Sequence, residues 1–106
     1  MTTTTEYLAL QSWLHLRHGR TDEAILLLEG LSVLTPGDSW VNRTLSYAYL
    51  KSGQYQACLD QLQRCLQTQN SRTSKLIKAR ALWGLGLHEE ARQLLKRMGG
   101  KLRDES

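Results

Sequence analysis

A glycine recurs at an almost constant interval along this chain, and that interval limits the folds open to it. Gly19, Gly53 and Gly86 are separated by 34 and then by 33 residues. Each glycine is followed after five residues by a small side chain and after nine residues by a leucine. These pairs are Ala24 and Leu28, Cys58 and Leu62, and Ala91 and Leu95. Such a period predicts a stack of similar units, because each unit can bury its apolar face only against a neighbour.

Each unit is predicted to consist of two helices joined by the glycine turn. Glycine adopts the left-handed backbone conformation without strain and so ends a helix, after which Thr21 is placed to cap the next one. The small residue lets antiparallel helices approach closely, and the leucine four residues later lies on the same face. Good helix formers dominate the chain, whereas the single proline and the absence of phenylalanine argue against a β-sandwich. The fold class is therefore expected to be all-α.

The spacing predicts six helices in a single domain of residues 1–98. Their expected bounds are 5–18, 21–34, 39–52, 55–68, 72–85 and 88–98, which pair into units of about 5–36, 39–70 and 72–98. Gly99 and Gly100 are expected to stop the last helix and to leave residues 99–106 as a flexible tail.

These features resemble the tetratricopeptide repeat, a helix-turn-helix unit of 34 residues. The resemblance extends from about Tyr7 to Met98 and implies a short right-handed solenoid of three units with a concave groove. Two family positions differ here. The first-helix tryptophan is replaced by Leu8, Asn42 and Lys75, and the glycine after it by Ser12, Ser46 and Ala79.

In solenoids of this family the first helix of each pair lines the concave surface. Carrying the family's groove positions onto this chain selects Ala9, Trp13, Leu16 and Arg17 in unit one, Trp40, Arg43, Tyr47, Leu50 and Lys51 in unit two, and Leu76, Arg80 and Trp83 in unit three. All three tryptophans are in this set, and tryptophan and arginine are common hot spots of protein interfaces. The resemblance therefore implies a groove for an amphipathic helix or an extended peptide. The alternative is that the tryptophans fill the seams between helices.

The first third of the chain resembles a narrower group of proteins. The runs Leu10–Gly19, Ala24–Leu31 and Leu34–Pro36 are similar to the small tetratricopeptide chaperones of bacterial type III secretion, and most similar to the Y-type export chaperones (SctY/YscY). This resemblance implies a cytoplasmic bacterial chaperone without catalysis or cofactor that binds a small secreted client (SctX/YscX-like). Chaperone and client then engage the export gate at the inner membrane. A needle-subunit co-chaperone and a generic tetratricopeptide scaffold are the alternatives.

Charge is distributed unevenly. The net charge is +4, yet residues 71–106 carry nine Lys/Arg against four Asp/Glu. A basic third of a molecule can meet nucleic acid, anionic lipid or an acidic protein. A nucleic-acid-binding module is therefore the competing function, with Arg80 near Trp83 as its support. The simpler interpretation is a solvated helix face that keeps the protein soluble.

The cysteines and histidines argue against a disulfide, a metal site and an enzyme. Cys58 and Cys65 are seven residues apart on one predicted helix, roughly 10 Å, which is too far for a disulfide. Two unpaired thiols indicate a reducing cytoplasm. His15, His18 and His88 lack closely spaced acidic or cysteine partners for a metal. We therefore expect no cofactor and no metal.

Neither a nucleotide loop nor a membrane segment is evident. Gly84 and Gly86 are interpreted as residues that end a helix rather than as part of a phosphate-binding loop. No run approaches the ~20 apolar residues that span a bilayer, and the N-terminus lacks the features of a secretory signal.

Overall fold

Helices account for the regular structure of the residues that can be described. The computed structural model describes residues 3–64 and 71–105, with side chains for 4–64 and 71–98. Within these ranges there are six helices and no strand: α1 (Thr3–Arg17), α2 (Thr21–Leu34), α3 (Ser39–Lys51), α4 (Tyr55–Gln63), α5 (Arg72–Gly84) and α6 (His88–Glu105). The all-α prediction is confirmed.

The helices form three stacked pairs. The first and second helices of each unit pack together, α2 then packs against α3, and α4 against α5. Successive first helices also meet, since α3 contacts α5. The stack measures 43 × 25 × 24 Å, the elongated shape of a short helical-repeat solenoid.

The three turn glycines have the conformation that the period predicts. Gly19, Gly53 and Gly86 have φ of 78°, 82° and 86°, in the left-handed region where a Cβ is disfavoured. The residue after each glycine donates its N–H to the carbonyl five residues earlier, at 2.8–2.9 Å. This hydrogen bond satisfies a helix-end carbonyl, so one motif ends the first helix of every unit.

The small residues of the period lie in the interior of the stack. Ala24, Cys58 and Ala91 are all fully buried, as the repeat predicts. Two apolar clusters, one at each joint between units, include Ala24 and Cys58 respectively. The joint of units one and two contains Leu16, Ala24, Ile25, Leu28, Leu31, Val41, Leu45 and Ala48. The joint of units two and three contains Leu50, Cys58, Leu62, Ile77 and Ala81.

The N-caps of the helices agree only in part with those predicted from the sequence. The N-cap of α2 is Arg20, without a side-chain cap, so the prediction that Thr21 caps this helix is wrong. Asp38 caps α3 by accepting a 3.0 Å hydrogen bond from the N–H of Val41. Ser71 caps α5 in the same way.

The last helix is longer than the double glycine predicts. It continues through Gly99 and Gly100 to Glu105, so the expected stop after Met98 is wrong. Glycine costs a helix interior roughly 1 kcal/mol but ends the helix only where it turns left-handed. The predicted continuation of α4 to residue 68 lies outside the described residues.

Candidate partner-binding groove

Repeat register identifies the side chains that share one face of the first helices. The positions 13, 10 and 6 residues before each turn glycine are spaced i, i+3 and i+7, which places them on one side of a helix. They are Glu6, Ala9 and Trp13 in α1, Trp40, Arg43 and Tyr47 in α3, and Thr73, Leu76 and Arg80 in α5. None of these nine residues is buried. We call this surface the first-helix face.

Large apolar side chains on the first-helix face are open to solvent. Trp13, Trp40 and Leu76 are 43%, 37% and 43% exposed, whereas Ala9 and Tyr47 are half-buried. Each unit therefore contributes one exposed large apolar residue to the first-helix face. Tryptophan is enriched among the hot spots of protein interfaces, which makes this face the candidate interaction surface.

Cations flank these apolar residues. Arg17 and Lys51 lie two residues before their turn glycines and are exposed, as is Arg80. The ammonium of Lys51 lies 5.8 Å from the ring centroid of Tyr47 and donates to the Leu16 carbonyl at 3.3 Å. This contact joins α3 to the C-terminal end of α1, so the two helices present a continuous surface there. Glu6 supplies the acidic side chain at the far end of the face.

Two residues assigned to the groove from the sequence lie in the core instead. Leu16 is 2% exposed and Leu50 is 6% exposed. Each lies three residues before a turn glycine and packs in the joint with the following unit. Neither is accessible to a ligand, so their assignment to the groove is wrong.

Trp83 is in the same register as Leu16 and Leu50. It is 47% exposed, stacks on His88 of α6 with ring centroids 4.1 Å apart, and has the Arg92 guanidinium 5.8 Å from its ring centroid. Its register is that of the joints between units and not that of the first-helix face. The structure therefore separates Trp83 from Trp13 and Trp40, which the sequence placed together.

Comparison with known proteins agrees with the repeat architecture. Residues 17–98 match the family model described as anaphase-promoting complex, cyclosome, subunit 3, a tetratricopeptide-like repeat. The chain belongs to this family. The match covers most of the chain and confirms the tetratricopeptide-like prediction. No curated protein matches the chain.

Repeats of this family are typically interaction modules without catalysis. Cys58, in the small-residue position of its repeat, is fully buried, and burial raises the pKa of its thiol to about 12. A protonated, inaccessible thiol is a small hydrophobic group and not a nucleophile. Cys65 lies outside the described residues.

The described residues of this repeat protein contain neither a metal-binding cluster nor a membrane-spanning helix. No group of three or more His, Cys, Asp or Glu there could hold a metal ion. His15 does have an acidic neighbour that the sequence reasoning missed, because Glu23 approaches it from α2 at 3.7 Å. No helix in the described part of the chain is long and apolar enough to cross a membrane.

Three basic side chains of the third repeat, Arg80, Lys78 and Arg92, lie in different surroundings. Arg80 lies on the first-helix face, and Lys78 lines a cleft together with Asp60 and Glu90. Arg92 contacts Trp83 and pairs with Glu89 at 3.3 Å. These three side chains therefore do not form a single basic track of the kind that single-stranded nucleic acid follows.

Proposed function

We propose that the chain is a protein-binding module that holds a helix or an extended segment of a partner on the first-helix face. The observation that carries this proposal is the register of Trp13, Trp40 and Leu76, which are exposed in three consecutive units. Trp13, Trp40 and Leu76 lie outside both core clusters, whereas Ala9 and Tyr47 of the same face pack against them. Exposed aromatic anchors are the residues from which protein interfaces draw most of their binding energy.

The chemistry of the face specifies the partner segment. Apolar anchors require an apolar stripe, which an amphipathic helix provides at i, i+3, i+4 and i+7. Arg43 and Arg80 share the first-helix face with these anchors, and Lys51 contacts Tyr47 of the same face, so acidic side chains on the segment have cationic partners there. Charge complementarity of this kind fixes register and speeds encounter. The proposed partner is therefore an amphipathic, acidic segment of a protein.

Within this function, we propose that the partner is a small client of a bacterial type III secretion system and that the chain is its cytoplasmic chaperone. The resemblance of Leu10–Gly19 and Ala24–Leu31 to the Y-type export chaperones supports this. The family match supports the wider interpretation, a tetratricopeptide-like scaffold for protein partners. Covering the apolar surface of a client would stabilise both proteins by mass action.

Site-specific photo-crosslinking tests where the partner binds. A photoreactive phenylalanine analogue replaces Trp13 or Leu76 on the face, or Leu26 on α2 as a control that is 70% exposed. The chain is expressed together with the genes that neighbour its own, and crosslinked proteins are identified by mass spectrometry. We expect the same small protein from both face positions and not from position 26. If the crosslinked protein is a secretion protein, the chaperone assignment is supported. If it is any other protein, the result supports only the scaffold function and contradicts the chaperone assignment.

Binding by the purified pair then tests the anchors. Truncating an interface hot spot costs about 2 kcal/mol or more, roughly a 30-fold loss of affinity. We expect such a loss for Trp13→Ala and Tyr47→Ala, unchanged affinity for Leu26→Ala, and persistence of binding at about 1 M salt, where charge contacts are screened. Affinity that is indifferent to Trp13→Ala and Tyr47→Ala would contradict the face as the site. Recovery of nucleic acid with a steep salt dependence would favour the basic third unit instead.

A further inference from the structure

Both ends of the stack expose apolar side chains at repeat positions that are buried inside it. At the C-terminal end, Trp83 and Leu95 are 47% and 42% exposed. The residues in the same register are Leu16 (2%) and Leu50 (6%) for Trp83, and Leu28 (0%) and Leu62 (4%) for Leu95. We call the surface formed by Trp83 and Leu95 the end face.

The N-terminal end shows the complementary exposure on α1. Tyr7, Leu10 and Leu14 are 58%, 54% and 39% exposed. The residues in the same register are Val41 (2%), Thr44 (9%) and Ala48 (0%) in unit two, and Ser74 (2%), Ile77 (6%) and Ala81 (0%) in unit three. We call the surface formed by Tyr7, Leu10 and Leu14 the start face.

The joints inside the chain show that these two kinds of surface fit each other. In the first joint, Leu16 and Leu28 pack in one cluster with Val41 and Ala48 of the next unit. The second joint repeats the arrangement with Leu50 and Leu62 against Ile77 and Ala81. Twice within one molecule, therefore, residues at the repeat positions of the end face pack against residues at the repeat positions of the start face in the next unit.

Charge favours the union of unlike ends over the union of like ends. Residues 1–38, which contain unit one, carry five Asp/Glu and two Lys/Arg, a net charge of −3. Residues 71–106, which contain unit three, carry nine Lys/Arg and four Asp/Glu, a net charge of +5. Two end faces would bring like charges together, and so would two start faces, which is unfavourable.

We infer that the end face of one copy of this chain docks on the start face of a second copy, so that molecules associate head-to-tail as their own units do. Contact of this type is heterologous, and each copy that joins leaves one face of each kind free for another. Growth beyond a dimer is therefore part of the inference. The two faces lie outside the first-helix face, so this association does not depend on the proposed partner site.

Complementary surface variants test the inference directly. Leu10→Glu blocks the start face and Trp83→Glu blocks the end face, and circular dichroism verifies that both variants keep their helices. In sedimentation velocity over a concentration series, we expect the mass of the wild-type chain to rise above the 12.1 kDa monomer. Each variant alone is expected to remain a monomer at about ten times the wild-type midpoint concentration. Their equimolar mixture is expected to give a species of twice the monomer mass that does not grow, because one good face of each kind survives.

Controls distinguish this contact from non-specific association and from binding at the first-helix face. Leu26→Glu introduces a charge at a position that is 70% exposed and holds Asp60 in unit two, and it should associate like the wild-type chain. Trp40→Ala on the first-helix face, at a position that is 37% exposed, should also associate normally. Leu95→Glu provides a second end-face variant, which the mixture with Leu10→Glu should likewise rescue. A monomeric wild-type chain at every concentration, or a mixture without dimers, overturns the inference. Self-association of Leu10→Glu alone or of Trp83→Glu alone, as like-to-like contact requires, also overturns it.

Discussion

The hydroxyl of Tyr49 on α3 donates a 2.6 Å hydrogen bond to the carboxylate of Glu29 on α2, and so joins unit two to unit one at the rim of their apolar joint. Burial is the main reason that the pKa of Tyr49 is raised from 10.0 to about 12, and the hydrogen bond to Glu29 adds to it. A raised folded-state pKa means that the associated stability is complete below the unfolded value and is lost as the pH rises through the folded one.

Tyr49→Phe is therefore expected to lower the free energy of unfolding at neutral pH by about 1 kcal/mol, the usual net value of one hydrogen bond. It should also make stability fall less steeply between pH 10 and pH 12 than in the wild-type chain, since the phenol no longer titrates. Urea unfolding at a series of pH values measures both effects. Cys58, whose pKa burial also raises to about 12, contributes to the slope that remains. An unchanged slope in the Tyr49 variant would contradict this linkage.

The buried amide pair of unit two lends itself to a double-mutant cycle. Gln61 donates to the Asn42 side-chain oxygen at 2.6 Å, and both residues are buried. Unit one has Leu8 and Leu27 in the same two registers. Asn42→Leu or Gln61→Leu alone leaves the other buried amide without this hydrogen-bond partner and should lower the free energy of unfolding by about 1–3 kcal/mol. The double variant should recover most of that stability. Chemical denaturation measures the coupling, and additive single costs would be the result that speaks against it.

The size of the residue at position 58 should control stability. Its counterparts in units one and three are alanines, and all three positions are fully buried. We expect Cys58→Ala to cost less than about 1.5 kcal/mol, and Cys58→Leu to cost about 1–3 kcal/mol by overpacking. In a Cys65→Ser background, alkylation of Cys58 should require denaturant, because the thiol is buried and protonated. Rapid labelling of the folded protein would show that the site is open.

Gly84 is needed for close packing, which differs from the role in ending the helix that the sequence suggested. Gly86 has the left-handed conformation, whereas a Cβ on Gly84 would come within 2.5 Å of the Tyr55 ring. Gly84→Ala should destabilise the joint of α4 and α5 by about 1–3 kcal/mol. Gly30 on α2 faces open space, so Gly30→Ala is a matched control that should stabilise the helix by about 0.5–1 kcal/mol. Equal thermal stability of the two variants would contradict the contact.

The sequence predicted those features that a single residue determines locally. Gly19 must be left-handed to end α1, and Ala24 must be small where two helices cross, so their spacing alone revealed the repeat. The hydrogen bond from Gln61 to Asn42 could not be predicted in this way, because it joins two helices and its register is apolar in unit one.

The candidate site was predicted less well, because the exposure of a groove position depends on whether another unit packs against it. Groove positions were assigned to every unit as though the units were equivalent, yet Leu16 has a following unit packed over it, whereas Trp83 is 47% exposed. Position in the stack, and not residue type, decides whether this register is core or surface. This dependence does not affect Trp13 and Trp40, because the residues at each of their two repeat positions are unburied in all three units.

The unequal covering of the three units also has a consequence for the dynamics of the chain. In a linear stack, stability is approximately a sum of unit terms and nearest-neighbour joint terms. Unit two takes part in both of the joints described, whereas units one and three each take part in one. Backbone amides of α3 should therefore exchange with deuterium most slowly, through the opening of the whole stack. Those of α1 and α6 should exchange sooner, as each outer pair detaches and re-forms.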